Sequence, residues 1–174
     1  MRLFASVFVP ENIALQIYKF SEPVSDFFYS KPVKPENMHI TLNFFGGEDE
    51  KKCSGIIENA VKGIKSFEIV IKGIGYFSYG KYASVLFAGV KDDKGVLTDL
   101  AAKTFNRKKE FIPHITLARF KNDIAENGIL ENKLAETPVK EKDFGSFFVE
   151  KVSLVESLLL PEGAKYRILK DFWL

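Results

Sequence analysis

Cysteine and histidine are nearly absent: one Cys and two His stand among 174 residues. Cys53 has no partner for an internal disulfide, and a lone thiol in a charged, helical stretch with no third histidine to activate it reads as structural. Two histidines without a carboxylate at ligand spacing make a poor transition-metal site. Long apolar runs are missing as well. The longest, Val152 to Leu160, is broken by Ser153, Glu156 and Ser157, so nothing approaches membrane-spanning length. The opening Met1 to Pro10 is too short and too strand-like for a secretory signal, and a cytoplasmic protein with no membrane partner is expected. An excess of one charge is also lacking, because 25 Lys and Arg offset 23 Asp and Glu for a net +2. That balance does not announce a nucleic-acid binder, although Lys31 and Lys34, and later Lys103, Arg107, Lys108 and Lys109, form two local basic clusters. Such clusters suit an anionic ligand.

What is present is core-forming material. The chain is 46% hydrophobic and holds seventeen phenylalanines, which predicts a well-packed unit spanning 1–174 in two lobes, and a monomer. Periodicity predicts a strand over Leu3 to Val9, a helix from Glu11 to about Lys19 broken or restarted at Pro23, and a stiff loop Lys31 to Asn37. A strand over Met38 to Phe45, a helix over Asp49 to Ile64 and a hairpin of Phe67 to Phe77 with Tyr82 to Val90 come next. A helix over Asp93 to Phe105, a strand over His114 to Lys121 and a short helix over Ile124 to Ala135 follow. The last third predicts strands over Val139 to Phe148, Lys151 to Leu160 and Ala164 to Phe172, with Pro161-Glu162-Gly163 as a turn. The order is that of an α+β fold. Gly73-Ile74-Gly75 is not a dinucleotide fingerprint, since strand residues rather than a helix follow it.

Both histidines lie in one tetrapeptide, His-Ile-Thr-Leu, at His39 to Leu42 and again at His114 to Leu117. A chance repeat of the three residues after a second histidine is on the order of one in a few thousand at ordinary residue frequencies. Side chains alternate across a strand, so His39 shares a face with Thr41 and His114 with Thr116, while Ile40, Leu42, Ile115 and Leu117 point into the packing. Imidazole titrates near ~6.5, so one ring can accept a proton while a second donates one. Two rings facing across a cleft can therefore cleave a phosphoester, one taking a proton from water and the other protonating the departing oxygen. Each transfer typically contributes about 10² to 10⁴ in rate. Threonine hydroxyls can hydrogen-bond the phosphoryl oxygens whose charge grows in the transition state. No metal is required.

The tetrapeptides match the paired His-x-Thr-x motifs of the two-histidine phosphoesterases. Within that superfamily the chain resembles the bacterial and archaeal RNA 2′,3′-cyclic phosphodiesterases, also known as 2′-5′ RNA ligases. The resemblance is carried by Met1 to Phe4 running to Pro10-Glu11, by Pro35 to Leu42 with Phe44 and Gly46, and by Gly75 to Phe77 with Val85 to Val90. Phe111 to Arg119, and Val155 to Ser157 through Gly163 to Tyr166, complete it. It implies a bilobal α+β fold of two antiparallel sheets flanking a cleft, helices outside, and halves related by a pseudo-two-fold. It also implies hydrolysis of an RNA-terminal 2′,3′-cyclic phosphate to a 2′-phosphomonoester without a cofactor. By motif position His39 would be the general acid and His114 the general base, with Thr41 and Thr116 on the phosphate. The aromatic residue that family members commonly carry shortly before Pro-Glu-Asn is Val33 or Lys34 here, and the segment ahead of Phe111 is short.

Among further candidates, Arg119 stands five positions after His114, as Phe44 does after His39. Strict alternation places Arg119 on the Ile115 face, and only a bulge or the strand's end would bring it to a phosphate. It is either a phosphate ligand or an ion-pair partner. By the same parity Phe45, not Phe44, is placed to stack on a base, with core packing the alternative for either. Tyr166 is a hydrogen-bonding or core tyrosine. Neighbouring readings are a phosphodiesterase for a small cyclic nucleotide, a 2′-5′ ligase running the same chemistry backwards, and a non-catalytic RNA-end binding module.

Overall fold

Alternating, β-branched and aromatic segments become strands and the 3.6-periodic ones become helices, as expected. The computed structural model describes residues 2–104, 111–121, 124–136, 141–160 and 163–174. Its first half comprises β1 (Leu3–Phe8), α1 (Glu11–Phe27), a 3₁₀ turn (Pro35–Asn37), β2 (His39–Gly46), α2 (Glu50–Val61), β3 (Phe67–Tyr79) and β4 (Tyr82–Lys91). The second comprises α3 (Val96–Thr104), β5 (His114–Arg119), α4 (Asn127–Ala135), β6 (Asp143–Val149), β7 (Lys151–Leu160) and β8 (Gly163–Trp173). The expected strand start at Val139, the expected helix end at Phe105 and the Pro161-Glu162 part of the final turn fall outside the described residues.

Helix ends follow local chemistry. Asp49, expected inside a helix, caps α2 instead, its carboxylate accepting from the Lys52 N–H at 3.1 Å. The third helix starts at Val96 rather than Asp93 because Gly95, at φ 69°, closes a turn onto the Asp92 carbonyl. Asp92 then takes up the Thr98 N–H and hydroxyl at 2.8 and 3.0 Å. Pro23 does not break α1, which continues to Phe27. The missing N–H removes one helical hydrogen bond, but Val24 and Phe28 beyond it are 5% and 3% exposed and anchor the continuation in the core.

The strands pair antiparallel in one eight-stranded sheet, ordered β6-β3-β4-β5-β2-β1-β7-β8. Two sheets were expected; the structure joins two four-stranded halves through a narrow seam. Across it β2 and β5 make one ladder pair, Ile40 opposite Ile115. Beyond that pair the edge of β5 is taken by the loop after α1: the Val33 N–H donates to the Leu117 carbonyl at 2.6 Å and Pro32 bridges Ala118. Ile40, Leu42, Ile115 and Leu117, each at most 1% exposed, belong to one core with Ile13 and Ile17 of α1, Ile57 of α2, and Leu97 and Leu100 of α3. Helix α1 packs on β5 and β6, α2 on β1, β7 and β8, and α3 on β2. Among the described residues no helix is long and apolar enough to cross a membrane.

The seam makes Ile115 a sensitive position. Ile115→Ala is expected to lower unfolding free energy by about 2–5 kcal/mol, the range for emptying a buried isoleucine site, read as a shift of the urea midpoint.

Candidate active site

The two tetrapeptides occupy the two central strands. Ile40 and Ile115, the second residue of each copy, face one another in an antiparallel pair, so a local two-fold passes between them. One step along the register sets His39 beside Thr116 and Thr41 beside His114. All four side chains are half-buried on the face away from the core.

Each imidazole is held by the carbonyl two residues before it. Nδ1 of His39 lies 2.7 Å from the Asn37 oxygen, and Nδ1 of His114 lies 2.7 Å from the Ile112 oxygen. A carbonyl can only accept, so Nδ1 carries the proton in both rings and Nε2 is left with its lone pair in the neutral form. Proline fixes both carbonyls. Pro35 opens the 3₁₀ turn that ends at Asn37, and Pro113 restricts Ile112 to extended backbone.

Burial pushes the His39 ring down to about 4; the Asn37 carbonyl opposes this, while the charges of Arg119 and His114 add to it. His114 is lowered too, by burial first and then by Arg119, against the pull of the Ile112 carbonyl. Both shifts favour the neutral imidazole near pH 7. A bound anion would raise both, because an opposite charge within a few ångströms favours the protonated form.

The position of Arg119 turns on a bulge. Between β4 and β5, Phe87 pairs with Thr116 and Leu86 with Ala118, so Leu117 is an extra residue. Leu117 and Ala118 are both fully buried, and alternation resumes with Arg119 exposed on the histidine face. β2 repeats the device: Ser6 pairs with Thr41 and Ala5 with Asn43, leaving Leu42 extra. This corrects the parity expected for the phenylalanines. Phe44 is 67% exposed on the histidine face, whereas Phe45, a second extra residue of β2, packs against the core.

A cavity of about 480 Å³ opens over this face, walled by His39, Thr41, Thr116, Arg119, Phe44 and Tyr166 together with Phe4, Arg2, Ser157, Leu159 and Val33. Four of its aromatic groups form one cluster. The Phe4 ring centroid lies 5.0 Å from His39, 5.8 Å from Phe44 and 5.3 Å from Tyr166. Tyr166 meets His39 edge-on at 5.0 Å, and burial raises its hydroxyl against an opposing effect of Arg119. His114 stands beside this wall rather than in it, near enough for its charge to reach His39. Phe77 and Phe87 hold its ring edge-on at 5.0 and 5.5 Å. Phe87 in turn lies across the backbone of Gly75, where a Cβ would come within 2.6 Å of the ring.

Sequence reasoning missed Phe4, Phe77, Phe87, Arg2 and Ser157. The alternation of Phe4, Ser6 and Phe8 along β1 was the available signal for Phe4. Lys31 and Lys34 stand outside the cavity wall, and Arg107, Lys108 and Lys109 lie outside the described residues. Of the two residues before Pro35, Val33 is in the wall and Lys34 is not. Among the described residues no group of three or more His, Cys, Asp and Glu converges to hold a metal ion.

The depressed His39 ring binds fewer protons folded than unfolded between its ordinary 6.5 and about 4. Stability is therefore expected to rise with pH across that window and to be lost as pH falls through it. Urea midpoints at pH 7 and pH 5 should differ more for the wild type than for His39→Ala.

The chain matches the family model of the 2′-5′ RNA ligase superfamily over residues 9–158. It is 33% identical, over 181 aligned residues, to the RNA 2′,3′-cyclic phosphodiesterase of Methanocaldococcus jannaschii, covering 99% of this chain and 100% of that protein. It is 32% identical to the protein of the same name from Archaeoglobus fulgidus, with 99% of each covered. Among solved structures it is similar to TT0787 of Thermus thermophilus at a TM-score of 0.77 and 28% identity, over 99% of this chain and 97% of that one. The fold of E. coli LigT, solved with phosphate, superposes at a TM-score of 0.76 and 23% identity, over 99% and 96% of the two chains. The doubled motif, the sheet that brings its two copies together and the match over most of the length agree: the chain belongs to the 2′-5′ RNA ligase superfamily.

Proposed function

We propose that this protein hydrolyses the 2′,3′-cyclic phosphate at RNA 3′ ends to a 2′-phosphomonoester, with no metal taking part. The observation that carries this reading is the convergence of two His-x-Thr pairs on one face, each imidazole pinned through Nδ1 so that Nε2 alone is free to exchange protons. The relatives' shared name, RNA 2′,3′-cyclic phosphodiesterase, supplies the substrate class.

The cyclic phosphate sits between Thr41 and Thr116, whose hydroxyls donate to its non-bridging oxygens, and beside the Arg119 guanidinium. His114 takes a proton through Nε2 from a water as the water oxygen attacks phosphorus. The bond from phosphorus to O3′ breaks, and His39, protonated at Nε2, gives that proton to O3′. The products are a 3′-hydroxyl and a 2′-phosphomonoester. The acid and base roles follow the family motif alone, since a near-symmetric pair of imidazoles reads the same from either side. Half-buried and within the field of Arg119, His39 gains its second proton when the phosphate anion arrives and releases it readily, because its surroundings disfavour the charged ring. Phe44 offers an exposed ring for the terminal base, with Tyr166 closing the cavity behind His39.

With chelator present, an oligoribonucleotide ending in a 2′,3′-cyclic phosphate is expected to be opened to the 2′-phosphate. His39→Ala and His114→Ala should each reduce kcat by at least ~10²; full activity in either variant would remove the two-histidine mechanism. Gly75→Ala tests the support of His114. The added methyl displaces Phe87, and kcat is expected to fall by about 10² for a shift of the order of an ångström, with His39 and its neighbours untouched.

A further inference from the structure

Two guanidiniums line the cavity, and the reacting phosphate accounts for one. Arg119 acts on His39, His114 and Tyr166, whereas Arg2 is not among the charges that act on any of the three. Alternate residues of β1 face the cavity side: Ser6 pairs with Thr41, Phe4 pairs with Phe44, and the Ser157 N–H donates to the Arg2 carbonyl at 2.8 Å, which extends the ladder to Arg2. Arg2 stands four residues before Ser6, roughly 13 Å of strand. The wall between the two ends is apolar, made by Phe4, Phe44 and the ring of Tyr166, which packs on Phe4 and His39. At the far end Arg2 is exposed, forms no ion pair among the described residues, and shares the wall with Ser157.

Resting on the function proposed above, we infer that Arg2, with the Ser157 hydroxyl, forms a second anion subsite that takes the 5′-phosphate of the terminal nucleotide, the group through which an RNA chain continues. A nucleotide with its cyclic phosphate at Thr41, Thr116 and Arg119 and its base on Phe44 fills the apolar middle of the cavity. Its 5′ carbon then carries the next negative charge toward the exposed end. One cation outside the reach of the histidines and one hydroxyl suit a phosphodiester or phosphomonoester there. The site thereby distinguishes an RNA end from a nucleoside cyclic phosphate with a free 5′-hydroxyl.

The test is binding, so that it does not depend on turnover. Calorimetric Kd values for a nucleoside 2′-monophosphate and the matching 2′,5′-bisphosphate are compared in the wild type, Arg2→Gln and Arg2→Lys. The wild type is expected to prefer the bisphosphate by about tenfold, Arg2→Gln to abolish that preference, and Arg2→Lys to keep most of it, since hydrogen bonds to a charged group are worth about that much. The preference should shrink with added salt. Equal affinities in the wild type, a preference that survives Arg2→Gln, or a loss that follows the identity of the base rather than the 5′-phosphate would overturn the subsite. Absence of hydrolysis by a wild type that keeps the bisphosphate preference would count against the proposed function alone.

Discussion

The pairing of Ile40 with Ile115 across the middle of the sheet is the contact on which the site depends. It is one antiparallel pair, flanked on the β5 side by the loop that hydrogen-bonds Leu117. Because equivalent residues of the two copies meet there, the pairing fixes the four polar side chains of the candidate site at once: each histidine comes beside the threonine of the other copy. The buried isoleucines that make the pair are fully enclosed by core from both halves. Rigidity at the seam is inherited from hydrophobic packing on one face and expressed as close placement of polar groups on the other.

Bulges give the symmetric frame two different ends. Leu42 and Leu117 are the fourth residues of their copies and each is an extra residue in its ladder. Each bulge reverses the parity of the residues next after it, and so aims Phe44 on one side and Arg119 on the other at the same cavity. A phenyl ring and a guanidinium at equivalent places make a near-symmetric site directional: one side presents a flat apolar group, the other a cation.

Burial and charge act together on the imidazoles. Desolvation is the first cause of the shift in both rings, and the Arg119 cation reinforces it. The site is therefore neutral on its histidines and positive at its arginine, a combination that favours an entering anion. Phe4, Phe8 and Tyr166 around His39, and Phe77 and Phe87 around His114, confine each ring by edge and face contacts. Gly75 belongs to this support because only a residue without a side chain lets Phe87 lie across it.

The amino-acid sequence by itself determined the α+β order of elements, the shared face of each His and Thr, the burial of Ile40, Leu42, Ile115 and Leu117, and the chemistry two imidazoles can perform. These are local properties, set by periodicities of 2 and 3.6 and by side-chain type. A trace of the bulges was present too, in the adjacent inward residues Leu117-Ala118, where alternation of apolar and polar residues stops. Only the tertiary structure decided that the two halves join in one sheet, that Phe44 rather than Phe45 faces the cavity, and that Arg119 reaches the histidines. It also decided which of many phenylalanines enclose the rings and that Arg2 comes to the far end of the cavity. Each of these depends on which strand lies beside which and in what register, and register is fixed by contacts between residues distant in the chain.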